Sequence, residues 1–241
     1  MATRCPSLAA AILALALPGS WSADRISAST TAAEPAFERV LAKSNTVEPP
    51  PYRAFRRMEG GLIDSEKRGW IEAWTQYTPG RGFTYEVVRE GGSEYVRNKI
   101  LRRMLANEQK LIADGKRLHA SLVSLNYLFE DGGMVDGGLQ RVLLKPAKKS
   151  DGILNGSVLV DPESGFITSI QGRLVKSPSF WLRDVDVTYR YAHVGDRVVP
   201  VEMTSTGRVR MFGRSNFRMV YDYESIDGRP ATLKAPLSGE Q

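Results

Sequence analysis

The sequence has little from which a covalent or metal-centred active site could be built. Its 241 residues include one cysteine, Cys5, and two histidines, His119 and His193. Cys5 precedes an apolar run that we interpret below as a signal peptide, so the exported chain has no disulfide and no thiolate. Neither histidine has a cysteine or a second histidine at metal-ligand spacing. We therefore predict no catalytic residue, no metal site and no cofactor, and we expect that the protein is not an enzyme.

Long apolar runs are also scarce. The run from Leu8 to Leu17 is the longest one, and it is shorter than the ~20 residues needed to cross a bilayer. Arg4 precedes it, and a Pro-Gly break and small residues up to Ala23 follow it. This order is typical of a secretory signal peptide. The sequence predicts cleavage near Ala23 and a mature protein that is soluble in a bacterial periplasm.

The mature chain shows no composition break that would indicate two domains. We predict a signal peptide at 1–23, a flexible leader at 24–34, one domain at 35–230 with a short helix near Phe37, and a tail at 231–241. The formal net charge is +6, which is modest and spread along the chain. It indicates solubility, or a transient contact with an anionic membrane surface. No recognition motif points to nucleic acid.

From Tyr52 onward the hydrophobic period is mostly two, which is typical of β-strands. The segments RGWIEAWTQYT and GFTYEVVRE flank a PGRG turn, and seven further strand-like segments follow with short connections. Short connections favour antiparallel pairing, because a parallel crossover needs a dozen or more residues. We predict an α+β fold: one strongly curved antiparallel sheet of about ten strands, an open half-barrel, with helices covering its concave face.

One segment, from Ser93 to Ala113, has helical spacing instead. Ser93 is a candidate N-cap, and Gly115 follows the end. A basic amphipathic helix can lie on a membrane, but we favour a lid over the sheet. The apolar stripe predicted to face the sheet includes Val96, Ile100, Met104 and Leu111.

Two further segments, one acidic and one aromatic, are candidate sites. Asp184 and Asp186 share one face of a strand, and carboxylates so placed could serve acid–base chemistry or bind a cation. Val185 and Val187 occupy the other face, so we interpret the aspartates as the solvent side. The aromatic SPSFW segment, ending at Trp181, is predicted to be a loop that plugs the barrel mouth or contacts a partner.

Two segments carry a family resemblance: YRAFRRME, and GSVLVDPESGFITSIQGRLV with its strand–turn–strand pattern. With the export signal and the helix inserted between strands, the chain resembles the periplasmic lipoprotein carriers LolA and LolB and the half-barrel domain of the sensor RseB. It also resembles uncharacterised exported bacterial proteins. The resemblance implies a cavity for acyl chains and an arginine that contacts the lid, although no local motif selects that arginine here.

The function predicted on this basis is a periplasmic carrier or sensor that binds a lipid, a lipoprotein acyl chain or another long hydrophobic ligand. Two alternatives remain open: an envelope scaffold with a filled core that binds a protein partner, and a hydrolase-type enzyme. The candidate cavity residues are the apolar and aromatic side chains of the predicted strands: Trp70, Trp74, Phe83, Tyr85, Phe166, Ile170, Met203, Met219 and Tyr221.

Overall fold

The computed structural model describes residues 50–115, 122, 126–194 and 197–231. The predicted signal peptide, leader and short helix near Phe37 lie outside the described residues, as do His119 and all of the predicted tail except Ala231. The domain boundaries proposed from the sequence therefore stay predictions.

Eleven strands are present in the described part of the chain. Their bounds are β1 Tyr52–Leu62, β2 Arg68–Thr78, β3 Gly82–Gly92, β4 Tyr127–Val135, β5 Leu139–Pro146, β6 Leu154–Asp161, β7 Phe166–Leu174, β8 Leu182–Val194, β9 Arg197–Val209, β10 Gly213–Ile226 and β11 Arg229–Pro230.

All of these strands form one antiparallel sheet in the order β3-β2-β1-β10-β9-β8-β7-β6-β5-β4, with the short β11 beside β10. Only β1 and β10 are paired neighbours that are far apart in the chain, so the sheet is two meanders joined along that pair. The strands β3 and β4 are its two edges and do not pair with each other. The predicted single, open antiparallel sheet of about ten strands is confirmed.

The helix α1 spans residues 94–113 and connects β3 to the second meander. It consists of Glu94–Val96, a π-helical turn at Arg97–Leu101, and Arg102–Ala113. The chain turns into it at Gly92, whose φ is +77° and where a Cβ would lie 2.4 Å from the Arg68 carbonyl oxygen. Ser93 makes no side-chain cap, and its carbonyl instead accepts from the Arg97 amide.

The π-helical turn changes which side chains of α1 face the sheet. An extra residue per turn places Val96, Leu101 and Leu105 in one line, and all three are buried. Ile100 and Met104 are partly buried beside that line. Leu111 does not join the core, so the structure corrects its predicted place in the lid stripe. The reason is that a regular period of 3.6 residues does not hold across Arg97–Leu101.

The sheet has two faces that differ in character. We call the face that carries Ala54, Arg56 and Met58 the inner face, because α1 packs against it over β1, β2 and β3. Side chains alternate along a strand, and nearly all inner-face positions of the central strands are buried. The largest of them are Phe217, Met219, Tyr221 and Tyr223 of β10, Met203 of β9, Val185, Val187, Tyr189 and Tyr191 of β8, and Ile170 and Val158 of β7 and β6.

A bulge in β7 changes the predicted faces of that strand. The pairing with β6 shifts register between Leu159, opposite Ser169, and Val160, opposite Ile167, so Thr168 is the extra residue. A bulge brings the next side chain to the other face, and Ile167 is accordingly buried. Phe166 is only partly buried, and its ring centroid lies 4.0 Å from that of His193.

The strands β6 and β7 approach closely where two glycines face each other. Gly156 pairs with Gly172 in regular register. A Cβ on Gly156 would lie 2.0 Å from the Gln171 carbonyl oxygen. No side chain fits there, because the two backbones approach too closely for a Cβ, and this explains why both positions carry glycine.

Candidate functional site

The two tryptophans proposed for the cavity lie on the outer face. Trp70 and Trp74 alternate with the buried Ile71 and Ala73 along β2. The Trp74 ring packs edge-on against Phe55 at 5.3 Å between centroids. Arginine guanidinium groups lie over both indoles, Arg53 over Trp74 and Arg57 over Trp70. The structure therefore removes Trp70 and Trp74 from the inner-face set, because sequence alternation identifies a shared face but not which face is inside.

The other cavity candidates divide as follows. Phe83, Ile170, Met203, Met219 and Tyr221 are buried on the inner face, and Tyr85 is partly buried beside them. Phe166 leaves the set, because the bulge at Thr168 turns it away from the buried face. The structure thus brings six of the nine predicted residues to one surface, and whether that surface binds a ligand stays a prediction.

The centre of the inner face next to α1 holds a charged residue, Arg56. Its side chain is only 2 % exposed, and it forms a two-pronged ion pair with Glu108 of α1. Nη1 donates to Glu108 Oε2 at 2.7 Å, and Nη2 donates to Glu108 Oε1 at 3.1 Å. Nη2 also donates to the Tyr52 hydroxyl. This pair is the most buried ionic contact between the helix and the sheet in the described residues.

Aromatic rings surround the Arg56 guanidinium. Its central carbon lies 4.5 Å from the Tyr221 ring centroid, 5.0 Å from that of Phe83 and 5.9 Å from that of Tyr52. Burial alone would lower the pKa of Arg56, but the Glu108 carboxylate together with the Tyr52 and Tyr221 hydroxyls more than offsets this and raises the pKa above its ordinary value. Arg56 therefore stays charged inside the fold, held by one carboxylate and three π faces.

Two further polar contacts fasten α1 to the edge strand β3. Glu90 accepts from Arg97 at 2.6 Å and from Arg102 at 2.8 Å. Gln109 donates to the Phe83 carbonyl at 3.0 Å, which is accessible to a side chain because β3 lies at the sheet edge. The helix is thus held at its beginning by Glu90 and near its end by Arg56 and Gln109, with Leu101 and Leu105 buried between.

Tyrosines line much of the inner face beyond Arg56. Tyr221 and Tyr223 stack with ring planes 8° apart, and Tyr52 meets Tyr223 edge-on. Burial raises the pKa of Tyr189, Tyr191 and Tyr223, and also of Tyr221 although the nearby Arg56 charge opposes the rise. These phenols are neutral at any physiological pH, so they present apolar rings with hydroxyl tips.

Sequence reasoning missed Arg56, yet a signal for it exists. In YRAFRRME, Arg56 shares a strand face with Ala54 and Met58, whereas Arg53 and Arg57 share the opposite face with Phe55. An arginine in register with small and apolar neighbours on a half-buried strand is a candidate for the inner face. No comparable signal marks Glu108, because the π-helical turn shifts its side of the helix.

A second notable surface lies where three connections meet at one end of the sheet. We call Phe180, Met211, Phe212, Arg210 and Lys67 the end-loop cluster. Met211 is 91 % exposed and Phe180 is 65 % exposed. Arg210 lies over the Phe180 ring at 4.1 Å, and Lys67 lies over the Phe212 ring at 5.5 Å. The predicted SPSFW loop is confirmed as a loop, with its phenylalanine turned outward.

The acidic pair considered in the sequence lies on the solvent side, as interpreted. Asp184 and Asp186 are exposed while Val185 and Val187 are buried, and Asp186 pairs with Arg173 at 2.8 Å. Within the residues that the structure covers, no group of three His, Cys, Asp or Glu side chains could hold a metal ion. No helix in this part of the chain is long and apolar enough to cross a membrane.

Comparison with known proteins gives similarity at the level of fold. The sequence matches no family model, and no curated protein is significantly similar to it. Among solved structures, a DUF1329 family protein from Desulfovibrio piger is similar over 78 % of this chain and 90 % of its own, with 9 % identity and a TM-score of 0.42. A LolA superfamily protein from Nitrosomonas europaea is similar over 81 % of this chain and 94 % of its own, with 9 % identity and a TM-score of 0.41.

The second of these structures belongs to the superfamily that the sequence resembles. The described residues define a single open, antiparallel sheet with a helix inserted after β3.

Proposed function

We propose that this protein is a periplasmic carrier or sensor that binds a long hydrophobic ligand, such as an acyl chain, between its sheet and α1. The observation that carries the proposal is how α1 is attached. A buried arginine–carboxylate pair and two edge contacts hold it, around only three fully buried apolar side chains, Val96, Leu101 and Leu105. These few polar contacts can break together when α1 moves away from the sheet, so α1 is suited to act as a lid.

The surface beneath such a lid suits an alkyl chain. Met58, Met219 and Met203 are in register on the neighbouring strands β1, β10 and β9, and each is nearly fully buried. Methionine is unbranched and flexible, so it adapts to irregular apolar shapes. A chain lying along this row would gain roughly 25 cal/mol for each Å² of apolar surface removed from water. Arg56, next to the row, would take the part of the lid-contacting arginine of the carriers.

An alternative function is supported by the same burial. The inner-face residues of the central strands are already nearly inaccessible, as expected for a scaffold with a filled core that acts through a protein partner. The two functions differ in what must happen to α1, because a carrier has to open and a scaffold does not. A hydrolase remains a third alternative, with no constellation of titratable groups to support it in the described residues apart from the Arg56–Glu108 pair.

Native mass spectrometry of the mature protein from periplasm, followed by extraction of bound lipid, tests the proposal. We expect a bound species that contains an acyl chain, at close to one per protein. A protein that is bare, and that also fails to take up a fluorescent fatty acid, would instead support the scaffold. The experiment would also show whether the predicted signal peptide is removed near Ala23.

The end-loop cluster supports a further contact, with an anionic membrane surface. Exposed Phe and Met side chains beside Arg210 and Lys67 combine apolar anchors with positive charge, which suits a headgroup region. Asp64 and Glu66 in the same β1–β2 turn reduce that charge, so we expect weak, reversible binding. Co-sedimentation with vesicles of phosphatidylglycerol should exceed that with phosphatidylcholine. The double substitution Lys67→Gln and Arg210→Gln should remove the difference, whereas Phe180→Ser with Met211→Ser should weaken binding to both lipids. Equal sedimentation with both lipids would contradict this contact.

A further inference from the structure

The carboxylate that Arg56 binds belongs to α1, the element proposed to move. Glu108 engages both terminal nitrogens of Arg56, at 2.7 and 3.1 Å. This is the geometry in which arginine binds any carboxylate or phosphate, including the headgroup of an amphiphile. In the closed structure Glu108 therefore occupies a site for an oxyanion.

Opening of α1 would remove Glu108 and leave the positive charge of Arg56 without a counterion. Arginine does not lose its proton in proteins, and Arg56 is almost completely buried. The rings of Tyr221 and Phe83 offset part of the charge, but a buried charge whose partner has been removed is strongly unfavourable. Glu90, the other acid that faces α1, lies two strands away on β3, paired with Arg97 and Arg102.

The guanidinium also has donor capacity to spare. The Nε atom of Arg56 is buried and has no hydrogen-bond partner within the described structure. Glu108 and the Tyr52 hydroxyl use only the terminal nitrogens. The Glu108 carboxylate is attached to α1, which fixes its orientation. A phosphate or carboxylate of a bound ligand could orient itself so that it also accepts a hydrogen bond from Nε of Arg56.

We infer that Arg56 binds the anionic headgroup of the ligand when α1 opens, in exchange for Glu108, with the alkyl chain along Met58, Met219 and Met203. This inference rests on the proposed function and narrows it. The preferred ligands are amphiphiles with an oxyanion head, such as fatty acids or phosphate-headed lipids. Neutral amphiphiles of equal chain length would leave Arg56 without a counterion and bind more weakly.

Competition against a fluorescent fatty-acid probe tests this inference. The competitors are dodecanoate, dodecyl phosphate and neutral dodecanol, compared at constant ionic strength and about pH 8, where carboxylates are ionised. We expect the wild-type protein to prefer the two anions over dodecanol by about tenfold, a difference of roughly 1.4 kcal/mol. Equal affinity for all three would overturn the inference and leave the proposed function standing. Failure to bind any of them, or the probe, would count against both.

Substitutions test whether Arg56 causes the preference for anionic amphiphiles over dodecanol. Arg56→Gln should still bind dodecanol, with the anion preference lost. Arg57→Gln is the matched control, because Arg57 is the next residue of β1 and points to the outer face; it should keep the preference. Glu108→Gln removes the competing carboxylate and should raise affinity for the anions several-fold. If the Arg56→Gln protein does not fold, Arg56→Lys provides the test, since it keeps the charge but lacks the fork and should retain a reduced preference.

A further competition experiment distinguishes binding of an amphiphile headgroup from binding of a free anion. Inorganic phosphate has the same oxygen chemistry without the chain. We expect it not to displace the probe at concentrations at which dodecyl phosphate does. Displacement by inorganic phosphate alone would mean that the site takes free anions, and the assignment to amphiphile headgroups would be wrong.

Discussion

Among single residues, Arg56 is the one whose contacts hold α1 against the sheet most deeply. It is a permanent charge on the inner face, where the other buried side chains of the described strands are uncharged, and it is compensated by one carboxylate from a different element. Buried ion pairs contribute little net stability compared with apolar side chains of similar size, yet they make the loss of one partner costly. Such a pair favours one closed arrangement while remaining exchangeable for an equivalent partner.

A mutant cycle should show this asymmetry. We predict that Glu108→Gln lowers the free energy of unfolding by about 3 kcal/mol, because it leaves Arg56 buried without a counterion. The double substitution Arg56→Met with Glu108→Leu should recover most of that loss. Urea unfolding at neutral pH measures both. If the double variant were no more stable than Glu108→Gln, the Arg56 charge would not be the source of the cost.

A second prediction concerns the turn between β6 and β7. Asp161 accepts from the Ser164 hydroxyl at 2.6 Å and from the Glu163 amide at 3.0 Å, and mainly the first of these bonds lowers the pKa of Asp161. A carboxyl group whose pKa is lowered by folding contributes stability that is fully present above its unfolded pKa of about 4. That contribution is lost as the pH falls through the folded-state pKa.

Asp161→Asn should therefore reduce stability at neutral pH and flatten the fall in stability below about pH 4. Thermal unfolding of both proteins across that range measures the difference. Identical pH profiles for the two proteins would rule out a stabilising role for the Asp161 carboxylate.

At the scale of elements, period-two patterns identified strands better than they identified faces. The PGRG turn and the alternation around it predicted β2 with its observed bounds, and most of β3. The pattern could not show that Trp70 and Trp74 lie outside, because both faces of β2 carry large side chains. Thr168 is an extra residue only relative to the partner strand β6. The face on which Phe166 lies therefore could not be predicted from the sequence of β7 alone.

The same limit applies to α1, where the sequence predicted the helix but not its π-helical turn. Leu105 is fully buried, whereas Leu111 lies off the core. Leu105→Ala should lower stability by roughly 2–5 kcal/mol, the usual cost of a cavity in a core. Leu111→Ala, a matched substitution on the same helix, should cost much less. Similar losses at the two positions in chemical denaturation would mean that α1 keeps a regular period across Arg97–Leu101.

In the whole molecule, the proposed function requires α1 to move away from the sheet so that a hydrophobic ligand can enter. The far end of α1 approaches the β2–β3 turn at Gly82, where a Cβ would lie 3.8 Å from Ile112 Cγ2. A cysteine sulfur at position 112 would take the place of that methyl carbon, near the reach of a cysteine at position 82. The strain of a side chain at the Gly82 φ of +80° is common to the oxidised and reduced forms, so their comparison isolates the disulfide. The sequence has only Cys5 besides, so the pair can be oxidised selectively once the predicted signal peptide is removed.

The most direct measurement is uptake of a fluorescent fatty acid by the Gly82→Cys and Ile112→Cys double variant, before and after reduction. We expect the oxidised protein to take up little probe, and we expect reduction to restore uptake to the level of the unmodified protein. Equal uptake by the oxidised and reduced forms would contradict the lid, because the ligand would then reach its site with α1 fastened to the sheet.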